Sequence, residues 1–140
     1  MLDYQQLKDI LPHAYPFLLI DRVEEYKEGE HLVAIKNITS NEWPLGQQDV
    51  SVFPEVLLIE AAAQAALVLY HVSKVKDGPR PRYFLGRASS EFTSFVEVGD
   101  QITFKVSNGK MLATGGYSNI QILREKEKIS DVEIFYGVKN

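Results

Sequence analysis

The chain has 140 residues, of which 45% are hydrophobic and 24% charged, a size and mixture that predict one globular domain over residues 1–140. Its 15 basic and 19 acidic side chains give a net charge of -4, which disfavours binding to nucleic acid or to an anionic membrane surface. The absence of cysteine excludes disulfides, thiolate metal sites and cysteine nucleophiles. We expect no metal and no cofactor. The first residues do not resemble a secretory signal, and we expect a cytoplasmic protein.

Two strands are predicted near the N-terminus. Residues 17–26 form an apolar run rich in Leu, Ile and Val, and residues 31–38 alternate between apolar and polar side chains. A turn at residues 27–29 contains Gly29. The two strands are therefore expected to pair as a hairpin.

One long apolar helix is predicted over residues 56–72. Pro54 suits the first helical position, and Glu55 is favourable near the positive end of the helix dipole. The segment is almost long enough to cross a bilayer, but a carboxylate at Glu60 makes a membrane span unfavourable. Because apolar residues surround the helix, and many are alanines, we expect a sheet to pack closely around it.

The remainder of the chain is predicted to form strands at residues 83–95, 101–107, 113–123 and 129–138. Turns are expected at residues 98–100, at the dipeptide Asn108-Gly109 and in the charged segment 124–128. With the first hairpin, this predicts an α+β fold in which a curved antiparallel sheet of five or six strands wraps around one buried helix.

Three polar residues of the helix, Glu60, Gln64 and His71, are predicted to share one face at 100° per residue. Burial of a carboxylate tends to raise its pKa toward the range useful for acid–base catalysis, so Glu60 is the first candidate for chemistry. A structural role is the alternative. In that case Glu60 pairs with Gln64, a loop or a partner subunit, and His71 reaches solvent.

Several segments resemble the (3R)-hydroxyacyl-[acyl-carrier-protein] dehydratases of fatty acid synthesis, which have the hot-dog fold. The resemblance covers most of the chain. Its most specific parts are the string Leu-Pro-His-Ala-Tyr-Pro-Phe-Leu-Leu-Ile-Asp-Arg-Val at residues 11–23 and the helical segment 54–66. Shorter matches occur at residues 36–39, 41–42, 83–86 and 98–100.

The resemblance implies a homodimer, possibly a trimer of dimers, with active sites at the subunit interface. Glu60 falls on the family's catalytic carboxylate, which handles the leaving β-hydroxyl, while a loop histidine removes the α proton. An apolar tunnel along the helix would hold the acyl chain. The substrate-binding residues implied here are His13, Phe53, Val56 and Gln64.

The sequence departs from the family at the loop histidine. No histidine lies between His31 and His71, and Gln47 or Gln48 stands at the corresponding place. A glutamine side chain donates hydrogen bonds but does not exchange a proton near neutral pH. His13 is the only nearby imidazole, although a structural role at the strand entry is expected for it.

The expected carrier-binding surface has also lost basic residues. Of the basic residues that follow the first strand after the helix in the family, only Arg87 is present, and we expect Arg82 and Arg87 to contact the carrier. The thioester carrier is expected to be acyl carrier protein or coenzyme A.

Three functions remain open from the sequence. The first is a dehydratase in which Glu60 transfers protons alone or with another group. The second is a hot-dog thioesterase using Glu60 with Gln47 or Gln48. The third is a non-catalytic acyl-binding subunit, which a bulky Phe53 or Trp43 plugging the tunnel would favour.

Overall fold

The computed structural model describes residues 1–13, 17–40 and 52–140 and begins with a short helix, α1 (Tyr4–Ile10). The Asp3 carboxylate accepts a hydrogen bond from the Gln6 backbone N–H, and the Gln6 side chain accepts one from the Asp3 N–H, both at 2.9 Å. This capping box fixes the start of a helix that the sequence analysis did not predict. The buried Leu7 and Ile10 attach the helix to the core.

The strands in chain order are β1 Arg22–Lys27, β2 His31–Asn37, β3 Val52–Phe53, β4 Arg82–Phe92, β5 Val96–Glu97, β6 Gln101–Leu112, β7 Gly115–Arg124 and β8 Glu127–Lys139. Six of them form the main antiparallel sheet, in the order β1-β2-β6-β7-β8-β4. The two-residue strands β3 and β5 pair with one another.

The long helix α2 (Glu55–Tyr70) packs against β2, β4, β6, β7 and β8, and a π-helical turn (His71–Val75) continues it. Pro54 is the N-cap of α2, whereas the sequence predicts it at the first helical position. The helical segment Glu55–Val75 is long and apolar enough to cross a membrane, but most of it is buried inside the protein. The predicted α+β architecture, one buried helix enclosed by a curved antiparallel sheet, is confirmed.

The predicted strand at residues 17–26 is wrong in its first part, because β1 begins only at Arg22. Two residues before β1 hydrogen-bond to a side chain of α2, where a predicted strand would pair with a neighbouring strand. Gln64 donates to the Phe17 carbonyl and accepts from the Leu19 N–H, each at 2.8 Å. Leu18, Leu19 and Ile20 are buried, as the composition indicates, whereas Phe17 is 57% exposed, and the segment is irregular and hydrogen-bonded to the helix.

The predicted turn at Asn108-Gly109 is also wrong, because β6 continues through it to Leu112. Its register against β7 shifts between Asn108 and Lys110, which places a bulge at this dipeptide. The ring of Tyr117 covers Gly109 so closely that a Cβ there would lie 2.1 Å from it. Here glycine is needed for the close approach of an aromatic ring, and the chain reverses only before Gly115.

The predicted strand at residues 83–95 ends early, at Phe92. Arg124 explains the break, because its guanidinium donates to the Phe95 carbonyl and to the Ser94 hydroxyl. The chain then enters β5 and turns at Gly99, whose φ is 99°. The predicted turns at residues 98–100 and 124–128 are confirmed.

Candidate active site

Glu60 lies in the second turn of α2, at the wall of a cavity of about 140 Å³. The cavity follows one face of the helix through Ala63 and Leu67, which lie on successive turns. Its other walls come from the segment after α1, from β4 and from β8. The lining residues are Pro12, His13, Glu60, Ala63, Leu67, Tyr83, Phe84, Leu85, Ile134 and Tyr136.

His13 and Glu60 form a pair in this cavity. His13 Nε2 is 3.2 Å from Glu60 Oε1, and the side chains are 24% and 39% exposed. The chain that carries His13 is held in place by Arg80, which donates to the Leu11 carbonyl at 3.0 Å. An imidazole and a carboxylate are therefore placed side by side at the cavity wall, within one chain.

Gln64 also hydrogen-bonds to the Glu60 carboxylate. Its Nε2 donates to Glu60 Oε1 at 3.4 Å and to the Phe17 carbonyl, while its Oε1 accepts from the Leu19 N–H. The side chain is fully buried and does not line the cavity. This arrangement directs the Gln64 side chain toward Glu60 and the segment before β1.

The pKa of Glu60 is lowered, contrary to the expectation that burial would raise it. The hydrogen bond from His13 is the main cause and outweighs the opposing effect of burial, and the hydrogen bond from Gln64 adds to the lowering. The expected rise in the pKa of Glu60 took account of burial alone. The carboxyl group is therefore ionised at neutral pH and can accept a proton.

A cluster of three tyrosines lies farther along α2. The ring of Tyr70 makes edge-to-face contacts with Tyr83 and Tyr136, at centroid distances of 6.1 and 5.7 Å. Tyr70 donates its hydroxyl to the Leu112 carbonyl at 2.7 Å. The Tyr83 hydroxyl is buried and has no hydrogen-bond partner among the described residues, whereas the buried Tyr136 hydroxyl interacts with that of Ser118.

The other predicted substrate-binding residues lie outside the cavity wall. Phe53 in β3 is 1% exposed, with Lys36 Nζ 5.6 Å from its ring centre, so it does not plug the cavity. Val56, in the first turn of α2, is 74% exposed. Gln47 and Gln48, like Trp43, lie outside the described residues.

His71 does not join Glu60 and Gln64 at the site. It begins the π-helical turn beyond α2 and does not line the cavity. Burial lowers its pKa. The prediction that one helical face carries all three polar residues therefore holds for Glu60 and Gln64 only.

The two predicted carrier contacts lie on β4, at the edge of the sheet. Arg82 and Arg87 are exposed, and Arg87 stacks over the ring of Phe135 with its guanidinium carbon 4.8 Å from the ring centre. Stacking leaves the guanidinium N–H groups free to bind an acidic partner.

The arrangement is suited to proton transfer. Within residues 1–13, 17–40 and 52–140, no three His, Asp or Glu side chains are grouped so that they could hold a metal ion.

Tyr83 and Tyr136 line the cavity but were not among the site residues predicted from the sequence. The inward position of Tyr136, in period-two alternation with Ile134 and Val138, was the available signal.

Residues 11–134 match the family model of the FabA-like domain. The 3-hydroxyacyl-[acyl-carrier-protein] dehydratase FabZ of Bacillus licheniformis is 43% identical over 140 residues, covering 99% of this chain and 96% of the relative. The FabZ of Bacillus subtilis is 34% identical, with 99% of each chain covered.

Two solved structures share the fold. The dehydratase heterocomplex ApeI:P from Xenorhabdus doucetiae has a TM-score of 0.83 at 16% identity, covering 96% of this chain and 91% of that one. A mutant thioesterase from Pseudomonas aeruginosa has a TM-score of 0.73 at 12% identity, covering 98% and 94%. The fold is thus the hot-dog fold, and the chain belongs to the FabA-like family of 3-hydroxyacyl-[acyl-carrier-protein] dehydratases.

Proposed function

We propose that this protein is a hydro-lyase that removes water from 3-hydroxyacyl thioesters in fatty acid synthesis. The observation that carries the proposal is the pairing of Glu60 with His13 at the wall of a cavity lined mostly by apolar and aromatic side chains. The names and identities of the FabZ relatives support the same activity.

Glu60 performs both proton transfers in the proposed reaction. Its carboxylate accepts the proton from the α carbon of the thioester, and electrons of the broken C–H bond form the new α–β double bond. The β C–O bond breaks, and the same proton passes from Glu60 to the departing hydroxyl. The products are water and an enoyl thioester, and Glu60 returns to its ionised form.

His13 acts through Glu60 as a positioning residue. A hydrogen bond from His13 Nε2 to Glu60 Oε1 keeps the carboxyl group ionised and fixes its direction. A lower pKa also makes Glu60 a weaker base, so the elimination is expected to be slower than with a base tuned to neutral pH. Gln47 or Gln48 stays our prediction for a group that orients the thioester carbonyl.

Acyl carrier protein is the proposed substrate carrier, with coenzyme A as the alternative. Arg82 and Arg87 are exposed on one edge strand and could contact acidic residues of the carrier. This proposal places the protein in the cytoplasm, where carrier-bound acyl chains are elongated.

A homodimer is proposed through the edge of β4. β4 is the outermost strand of the sheet and pairs only with β8 among the described strands. It exposes two large apolar side chains, Phe84 and Leu85. Uncovered edges of this kind favour pairing with another strand. Light scattering during size-exclusion chromatography should give twice the 15.9 kDa chain mass, or the mass of a trimer of dimers, and a monomer would contradict the dimer.

The decisive test follows two signals from one reaction. Purified protein is incubated with 3-hydroxybutyryl and crotonyl thioesters while enoyl absorbance and free thiol are recorded. Dehydratase activity changes the absorbance without releasing thiol, whereas a thioesterase releases thiol. Neither signal is expected from a non-catalytic subunit.

Glu60→Gln should lower the elimination rate at least about a hundredfold, the usual contribution of an acid–base group. Glu55→Gln is the matched control, because Glu55 is exposed in the first turn of the same helix. Equal rates in the wild type and in Glu60→Gln would overturn the proposed mechanism.

A further inference from the structure

Arg80 lies between the long helix and β4 and reaches the segment that carries His13. Its Nη1 donates to the Leu11 carbonyl at 3.0 Å, a contact between residues 69 positions apart in the chain. Leu11 is the C-cap residue of α1 and has an extended backbone, so its carbonyl accepts no hydrogen bond within that short helix. The Arg80 guanidinium thus ties the loop before β4 to the end of α1.

The sequence around Arg80 limits the freedom of its backbone. Pro79 precedes it and Pro81 follows it. A proline ring fixes its own φ, and it also restricts the residue before it to an extended conformation. Pro81 is buried, and Tyr83, two residues later, lines the cavity. The loop therefore presents the Arg80 side chain from a stiff and anchored backbone, which reduces the entropy lost when a long-range hydrogen bond forms.

The hydrogen bond at Leu11 is close to His13 along the backbone. The Leu11 carbonyl belongs to the planar peptide group that joins Leu11 to Pro12, and the Pro12 ring fixes φ at that residue. Only the ψ angle of Pro12 is then free to rotate between this peptide plane and the one that contains the His13 N–H. Within the described residues, the other hydrogen bond of this backbone segment runs from the Leu11 N–H to the Leu7 carbonyl. Arg80 therefore supplies the hydrogen bond that holds the backbone nearest to His13.

His13 in turn controls the carboxyl group of Glu60. Its Nε2 lies 3.2 Å from Glu60 Oε1, and this hydrogen bond is the main cause of the lowered pKa of Glu60. Within the described residues, the groups that shift this pKa directly are His13 and Gln64, and Arg80 is not one of them. Because a hydrogen bond depends steeply on distance and angle, a small displacement of the imidazole would weaken its effect on the carboxylate.

The charge of Arg80 also acts on two neighbouring side chains. Burial raises the pKa of Tyr83 to about 12 and lowers that of His71, and the charge of Arg80 makes a smaller, lowering contribution to both. A test of Arg80 therefore has to separate this effect of charge from the directed hydrogen bond to the Leu11 carbonyl.

We propose that Arg80 is a positioning residue of the active site, which holds the backbone at Leu11 so that His13 stays hydrogen-bonded to Glu60. The proposal rests on the proposed function, in which Glu60 transfers the proton. Arg80 does not line the cavity, and it acts through the segment after α1.

A titration of the Glu60 side-chain carboxyl carbon by nuclear magnetic resonance tests the proposal without catalysis. Arg80→Met removes the N–H donors and keeps a long side chain. The titration midpoint of Glu60 should move upward in Arg80→Met, but less than in His13→Gln, because the imidazole is displaced and not removed. Lys74→Met is the matched control, since it removes an exposed cation from the neighbouring π-helical turn. It should leave the midpoint unchanged.

The double variant Arg80→Met/His13→Gln separates the hydrogen bond from the charge. If Arg80 acts through His13, its replacement should add nothing to the midpoint already measured in His13→Gln. An equal upward shift in the wild-type and His13→Gln backgrounds would show a direct effect of charge and would overturn the proposal. An unchanged midpoint in Arg80→Met would overturn it as well.

The enoyl absorbance assay then connects the position of His13 to the reaction. The kcat/KM of Arg80→Met should fall about twofold to tenfold, the range expected for one net hydrogen bond. The acid limb of its pH profile should move to higher pH, as expected for His13→Gln. A lower rate with an unmoved acid limb would show a merely structural role and would overturn the proposal. Absence of turnover in the wild type would overturn the proposed function alone, because the titration of Glu60 requires no reaction.

Discussion

The two ends of the cavity differ in how their polar groups are satisfied. At one end, the Glu60 carboxylate receives hydrogen bonds from His13 and Gln64, although His13 Nδ1 is itself buried without a partner among the described residues. At the other end, the buried Tyr83 hydroxyl has no partner among the described residues, and the Tyr136 hydroxyl interacts with that of Ser118. The carboxylate is thus organised before any ligand enters, as a group that must transfer a proton in a fixed direction requires. The Tyr83 hydroxyl lacks this organisation.

His13→Gln is expected to disturb the organised end strongly, although less than Glu60→Gln. It removes an imidazole hydrogen bond to a carboxylate, and such charge-assisted bonds contribute about 1.5–3 kcal/mol. The elimination rate should fall about tenfold to a hundredfold in the enoyl absorbance assay. His31→Gln, on β2 and outside the cavity lining, is the matched control. An unchanged rate in His13→Gln would show that the pair does not contribute to catalysis.

Gln64→Met tests whether the segment before β1 depends on its bonds to α2. The substitution preserves side-chain volume but removes one hydrogen bond to the Phe17 carbonyl and one to the Leu19 N–H. Loss of a partner by a buried group costs about 1–3 kcal/mol, so the two losses should lower the free energy of unfolding by about 2–6 kcal/mol. Urea denaturation measures this. Gln121→Met, at an exposed position on β7, should change it little.

Tyr83→Phe should have the smallest effect and the opposite sign. It removes a buried hydroxyl that has no hydrogen bond among the described residues, so the free protein should become more stable by up to about 1 kcal/mol. The same urea titration measures the change, with Tyr117→Phe as the control. A loss of stability comparable to that of Gln64→Met would show that the hydroxyl is already satisfied, and the contrast between the two ends of the cavity would disappear.

The sequence was sufficient for the helix and most of the sheet, because these depend on long apolar patterns. Residues 56–72 are apolar on every side, and strands such as β6 alternate with period two. The errors occurred where a single distant side chain decides the backbone. Gln64 prevents a strand at residues 17–20, the Tyr117 ring makes Gly109 a bulge, and Arg124 ends β4.

The site was predictable in part. Glu60 and Gln64 were found from helical spacing, which fixes their proximity. The contact between His13 and Glu60 was not predictable in this way, because it depends on how the segment after α1 crosses the helix. The direction of the pKa shift followed from that contact and not from burial. The place of Tyr83 and Tyr136 at the cavity depends on how β4 and β8 pack on α2, although the period-two position of Tyr136 already indicates an inward side chain.

The pH dependence of kcat/KM for the wild type and His13→Gln tests the central claim most directly. Activity requires ionised Glu60, so it should be lost as the pH falls through the pKa of that group. His13 lowers this pKa, and its removal should therefore move the acid limb of the profile to higher pH, with no such shift in His31→Gln. Superimposable acid limbs in the wild type and His13→Gln would contradict a Glu60–His13 pair that controls proton transfer.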